Sequence, residues 1–129
     1  MNKLIHLCTL LLALASPLLV AGCEGGTAVP GYTPATGGNP KQGRAIIQAY
    51  HCGSCHIIPG IPNANGLVGP PLSFFERRTY IAGELPNTTA NLVHWIRSPQ
   101  SVEPGNAMPT LGLSEDEARS VAAYLYTLR

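Results

Sequence analysis

The run Cys52-Gly53-Ser54-Cys55-His56 is the densest group of reactive side chains in the sequence. Two thiols separated by two residues, with an imidazole next, invite four chemistries. A structural zinc ion takes four ligands. No second close pair of cysteines exists, and recruiting His51 beside His56 would require the segment to fold back on itself. A dithiol redox pair of the thioredoxin kind belongs in an α/β context, and no strand pattern surrounds this one. A disulfide would use both thiols and leave His56 without a part. Covalent attachment of one haem uses all three groups. Each thiol adds across one vinyl group, and His56 projects its imidazole towards the iron as the proximal ligand. Gly53 and Ser54 are small enough to let the turn hug the porphyrin edge. The expectation is haem c, bound through Cys52, Cys55 and His56.

The sixth iron ligand follows by elimination. The sequence has 2 methionines, and Met1 falls in a segment that reads as a cleaved signal. Met108 remains, in Pro104-Gly105-Asn106-Ala107-Met108-Pro109, a loop free to present a side chain without helical constraint. His51 and His94 are rivals. His51 directly precedes the attachment cysteine and is expected to point away, and His94, beside Trp95, reads as a solvent-facing helix position. His/Met ligation raises the reduction potential relative to His/His and leaves no open position for oxygen or peroxide.

The elements that must hold these groups are helical. Asn39-Pro40 is an N-cap followed by proline at the first helical position, and the pattern runs on to about Tyr50. Gly43 inside this helix costs about 1 kcal/mol against alanine, which suggests close approach of a second helix. Residues 57–73 carry Pro59, Pro62, Pro70 and Pro71 and read as loop, with a short turn near Ser73 to Arg77. A helix is expected after Asn87-Thr88, ending at Ser98-Pro99. Residues 99–112 are again loop, with no long helix. Ser114 and Glu117 form a capping box for a last helix, with Ala118, Val121, Ala122, Leu125 and Leu128 as its apolar stripe and Arg129 near its negative end. No alternating strand pattern appears. The expected fold is all-α: three to four helices wrapped by Pro/Gly-rich loops around one covalent haem.

A chain of 129 residues suits one small domain. Residues 1–22 read as an export signal, with Lys3 and an almost wholly apolar stretch from Leu10 to Val20. Val20-Ala21-Gly22-Cys23 resembles the lipobox of bacterial lipoproteins, so Cys23 is the expected lipidation site. Acyl chains would contribute about 0.8 kcal/mol of membrane affinity per buried CH₂. Residues 23–38, rich in Gly, Pro, Thr and Ala, read as a flexible tether, and 39–129 as the domain. From Cys23 onward, 7 basic residues face 7 acidic ones. No basic patch offers itself to nucleic acid. Aromatic residues make up only 6% of the sequence, so a buried haem would supply apolar volume that the chain lacks.

From Gly43 to Leu128 the sequence resembles class I cytochromes c. The landmarks occur in that family's order: N-terminal helix, attachment motif, Gly69-Pro70-Pro71-Leu72, methionine loop and C-terminal helix. The resemblance implies that the Pro70 carbonyl orients His56. It also implies that Gly43 and Ile47 cross Val121 and Tyr124, that Arg77 or Arg78 meets a haem propionate, and that Trp95 lies on the methionine side. Three further runs are similar to the cytochrome c domain appended to subunit II of some bacterial haem-copper oxidases. They are Ala82-Gly83-Glu84-Leu85-Pro86-Asn87-Thr88, Trp95-Ile96-Arg97-Ser98-Pro99-Gln100 and Pro104 to Pro109. The sequence has no copper-binding cluster of cysteines and histidines and no transmembrane hairpin. The resemblance therefore implies such a domain made free-standing on a lipid anchor.

The expected function is electron transfer rather than enzymatic catalysis. The donor would be a quinol-oxidising complex or a periplasmic dehydrogenase, and the acceptor a terminal oxidase. The expected place is the bacterial periplasmic space, lipid-anchored to a membrane, as a monomer or a subunit of a complex. The alternative is a haem peroxidase or gas sensor in which Met108 can be displaced.

Overall fold

The computed structural model describes residues 35–129. The expected signal at 1–22, Cys23 and most of the segment read as a tether lie outside the described residues. Among the described residues no helix is long and apolar enough to cross a membrane.

Helix α1 spans Pro40–Ala49, α2 Thr89–Arg97, α3 Pro99–Val102 and α4 Glu115–Leu125. The starts are set by local chemistry. Asn39 Oδ1 accepts the Lys41 and Gln42 amides at 2.9 and 3.4 Å, and Pro40, which has no amide to leave unpaired, takes the first helical position. Thr88 caps α2 through the Asn91 amide at 3.3 Å. Ser114 and Glu117 form the full capping box of α4, each side chain bonding the other's backbone amide.

The core forms where α1 and α4 cross, with α2 laid against α4. Gly43 makes the crossing possible: a Cβ on it would sit 1.9 Å from the Ser120 carbonyl oxygen. Ile47, Leu92, Ala118, Ala122 and Tyr126 are all but inaccessible to solvent around this contact. Tyr126 meets Phe75 edge-on, ring centroids 5.9 Å apart. Its hydroxyl donates to Asn87 Oδ1 at 2.9 Å, and Asn87 Nδ2 in turn bonds the Phe75 and Arg78 carbonyls.

The domain is mostly helical, as expected, with four departures in detail. A short antiparallel hairpin joins β1, Tyr80–Ile81, to β2, Leu85–Pro86. Two-residue strands are too short to show alternation, which is why the sequence hides them. Pro99 opens the single-turn α3 rather than only ending α2, since proline is well suited to a first helical position. Helix α4 stops at Leu125, so Leu128 is buried beyond the helix, where its carbonyl accepts the Glu76 amide at 3.2 Å. Arg129 therefore stands past the last turn and not in it. Finally, packing reaches back before Asn39. Thr36 is buried, its carbonyl accepts from Arg119 Nη1 at 3.1 Å, and a Cβ on Gly38 would strike the Arg119 backbone.

Candidate functional site

A cavity of about 510 Å³ opens between the loop after α1 and the loop after α3. Cys52, Cys55, His56 and Met108 all border it. Much of the remaining wall is apolar, including Ile47, Leu92 and Ile96. Its volume is in the range of ligand-holding sites.

The attachment run is a tight turn. A 3₁₀ segment covers Cys52–Ser54, entered through His51 in the left-handed region at φ 54°. The Cys55 and His56 amides both bond the Cys52 carbonyl, at 3.2 and 3.1 Å. Residues 66–69 close against this turn, Gly66 bonding the Gly53 carbonyl at 3.0 Å and Gly69 the Cys55 carbonyl at 2.8 Å. Only glycine fits there. A Cβ on Gly66 would lie 2.1 Å from the Ser54 oxygen, and one on Gly69 would lie 2.2 Å from His56 Cε1.

His56 Nδ1 lies 2.9 Å from the Pro70 carbonyl oxygen. A carbonyl can only accept, so Nδ1 carries the hydrogen, and in the neutral ring this leaves the lone pair on Nε2. That is the tautomer and the orienting bond a metal-ligating histidine uses. Burial pushes the Cys52 thiol above its ordinary value, and Cys55 adds to the shift against a backbone hydrogen bond that opposes it. The two cysteines form no disulfide, and no cluster of three or more candidate metal ligands from His, Cys, Asp and Glu occurs among the described residues. Among the described residues the zinc alternative therefore has no ligand set.

The other expected site residues divide. Trp95 is half-buried and borders the cavity, as does Arg78. Arg78 stacks over the Phe75 ring at 5.3 Å and donates to the Pro71 carbonyl, and burial lowers its guanidinium pKa. Arg77 is exposed over Phe74, at 5.5 Å, away from the cavity. The adjacent arginines thus face different surroundings, which their sequence could not separate. His94 is exposed, its Nε2 3.3 Å from Ser101 Oγ, and does not border the cavity.

The sequence reading missed the residues that hold the loops. Tyr124 donates its hydroxyl to the Pro59 carbonyl at 2.7 Å, and Arg44 grips the Gly60 carbonyl through Nε and Nη2. Gln100 and Asn106 bind the backbone of the methionine loop. Polar side chains among prolines and glycines were the available signal, but nothing in the sequence says which carbonyl each would meet.

Residues 38–125 match the family described as cytochrome c oxidase, cbb3-type, subunit III. The chain is also similar to proteins named cytochrome c oxidase subunit 2. It is 39% identical to that of Alkalihalophilus pseudofirmus over 90 residues, covering 69% of this chain and 25% of the relative. The Bacillus sp. strain PS3 protein is 37% identical over 93 residues, and that of Bacillus subtilis 32% over 93, each covering 69% of this chain and 26% of the relative. The chain thus spans about a quarter of the length of these relatives. A cytochrome c family with a Cys-x-x-Cys pair implies covalent haem c, and the cavity fits such a group: paired thiols, an oriented imidazole, a thioether and apolar side chains all border it. The chain belongs to this cytochrome c family, as an electron-transfer domain related to the cytochrome c domains of oxidase subunit 2.

Proposed function

We propose that this protein is a membrane-tethered, monohaem c-type cytochrome that passes single electrons from a respiratory complex or periplasmic dehydrogenase to a terminal oxidase. The observation that supports the reading is that one cavity is bordered both by His56, whose Nδ1 lies against the Pro70 carbonyl, and by Met108. Cys52 and Cys55 would hold the haem through thioether bonds, with His56 Nε2 and Met108 Sδ as axial ligands. Arg78, which borders the cavity where Arg77 does not, would meet a propionate, and Trp95 would form part of the wall. A haem held there would supply a one-electron iron couple, and His/Met ligation would favour a higher potential than His/His.

The chain's own part is to hold that pair still and keep water from it. Electron transfer needs little rearrangement, and both ligand-bearing loops are bonded to the frame. The relatives named oxidase subunit 2 support an oxidase as acceptor. A near-neutral charge balance supports docking through a small apolar face with weak salt dependence. Cys23 is the proposed lipid attachment and puts the domain outside the cytoplasm.

The test is the visible spectrum of the purified protein, oxidised and reduced, beside Met108→Ala. One haem per chain, a sharp reduced alpha band, and a weak far-red sulfur-to-iron band lost in the variant are expected. A five-coordinate wild-type spectrum that responds to carbon monoxide would overturn the ligand assignment and favour the peroxidase or gas-sensor reading.

A further inference from the structure

The methionine loop has a feature that electron transfer alone does not require. Met108 sits in no regular element, yet both of its backbone polar groups are taken by side-chain amides. Its N–H donates to Asn106 Oδ1 at 2.8 Å, and its carbonyl accepts from Gln100 Nε2 at 2.9 Å. Gln100 does more. The same Nε2 donates to the Asn106 carbonyl at 2.9 Å, and Oε1 accepts the Gly105 amide at 3.0 Å. One exposed side chain on the single-turn α3 therefore binds residues 105, 106 and 108 together.

The geometry points to Gln100 as the positioning residue that sets how firmly Met108 holds the iron. This rests on Met108 being the axial ligand. An axial thioether is a weak, neutral donor. Its hold depends on how little freedom the loop gains by letting go. A loop whose backbone groups faced only water would exchange one set of hydrogen bonds for another on opening. Here opening breaks three bonds at once, all to one amide, whose planar geometry offers two donors and an acceptor together. Gln100 does not border the cavity, so it acts through the loop and not on the haem.

The test compares three haem-loaded variants with the wild type: Gln100→Leu, Gln100→Glu and Met108→Ala. Each is titrated with imidazole in the oxidised state, the far-red band is followed with pH, and far-UV circular dichroism checks the fold. Removing the amide should let imidazole displace the thioether at a concentration lower by about tenfold or more, given the usual size of a few lost hydrogen bonds. The dichroism should be unchanged.

Gln100→Glu supplies a readout that simple loosening would not give. Its carboxylate can accept from Gly105 but cannot donate to the Asn106 and Met108 carbonyls. The variant should show the lability of Gln100→Leu at neutral pH. When its carboxyl is protonated in acid, it should resist imidazole better than Gln100→Leu does at the same pH, the protonation of imidazole itself being common to both. Equal imidazole affinity in wild type and Gln100→Leu, with Met108→Ala lacking the band, would overturn the role of Gln100 while leaving the ligand in place. A band that persists in Met108→Ala would instead overturn the ligand assignment itself.

Discussion

The crossing of α1 with α4 and the loop that carries Met108 bound the same domain but are built by opposite means. At the crossing the side chain has been removed: Gly43 brings one helix's backbone against the Ser120 carbonyl, and the helices satisfy their own hydrogen bonds. In the loop the backbone cannot satisfy itself, and two side chains, Gln100 and Asn106, do it instead. The first arrangement is stiff, because backbone atoms have nowhere to retreat. The second is adjustable, because a side-chain amide can let go without unfolding anything else. Stability is therefore expected to be uneven, high at the crossing and set locally at the loop.

The largest effect should come from breaking the crossing. Gly43→Ala places a methyl group where the nearest atom is main-chain oxygen, so the helices must part. Overpacking of this kind costs about 1–3 kcal/mol, and more where the neighbour is backbone. Denaturant unfolding of the haem-loaded protein should show a clearly lowered midpoint. An unchanged midpoint would mean that the contact carries little of the stability.

The same contrast explains what the sequence discloses. The crossing rests on local codes: Asn39-Pro40, Ser114 with Glu117, and a glycine inside a helix that otherwise makes no sense. Each has a meaning that depends on nearby residues only. The attachment turn follows from motif spacing in the same way, whereas the Pro70 carbonyl beside His56 is implied only by the resemblance to class I cytochromes c. The rest depends on distant partners. The partners of Gln100 follow from how residues 99–108 fold, the separation of Arg77 from Arg78 depends on the side from which each emerges, and Thr36 packs only because Arg119 is there to meet it. Composition marked Thr36 as tether because a Gly- and Pro-rich run has no core of its own, but it can borrow the surface of α4.

A smaller effect, confined to the loop, should follow Asn106→Ala. The change removes donors to the Pro99 and Glu103 carbonyls and the acceptor for the Met108 amide. At about 1 kcal/mol for a lost bond, the Met108 amide should exchange its hydrogen roughly fivefold faster. The amides of Ile47 and Leu92, deep in the core, should keep their wild-type rates. A global midpoint lowered as far as in Gly43→Ala would show that the loop and the crossing unfold as one.

The smallest effect concerns the start of α4 and appears only in acid. The Ser114 backbone amide and hydroxyl, with a lesser contribution from Tyr50, hold the Glu117 carboxyl below its ordinary range. Glu115 is lowered by its hydrogen bonds with Arg119, by the charge of that residue and by the more distant Arg97. A carboxylate whose folded pKa is depressed contributes stability that is present above its unfolded pKa and disappears as the pH falls through the folded one. Glu115 is exposed and Glu117 lies partly exposed at the surface, so the contribution is screened and small. Glu117→Gln can still reach back to the Ser114 amide but no longer titrates. Between neutral pH and the lowered carboxylate range, the variant should lose less stability than the wild type, with the difference shrinking in high salt. Parallel acid slopes would place the acid sensitivity elsewhere, and the capping box would then act through its geometry alone.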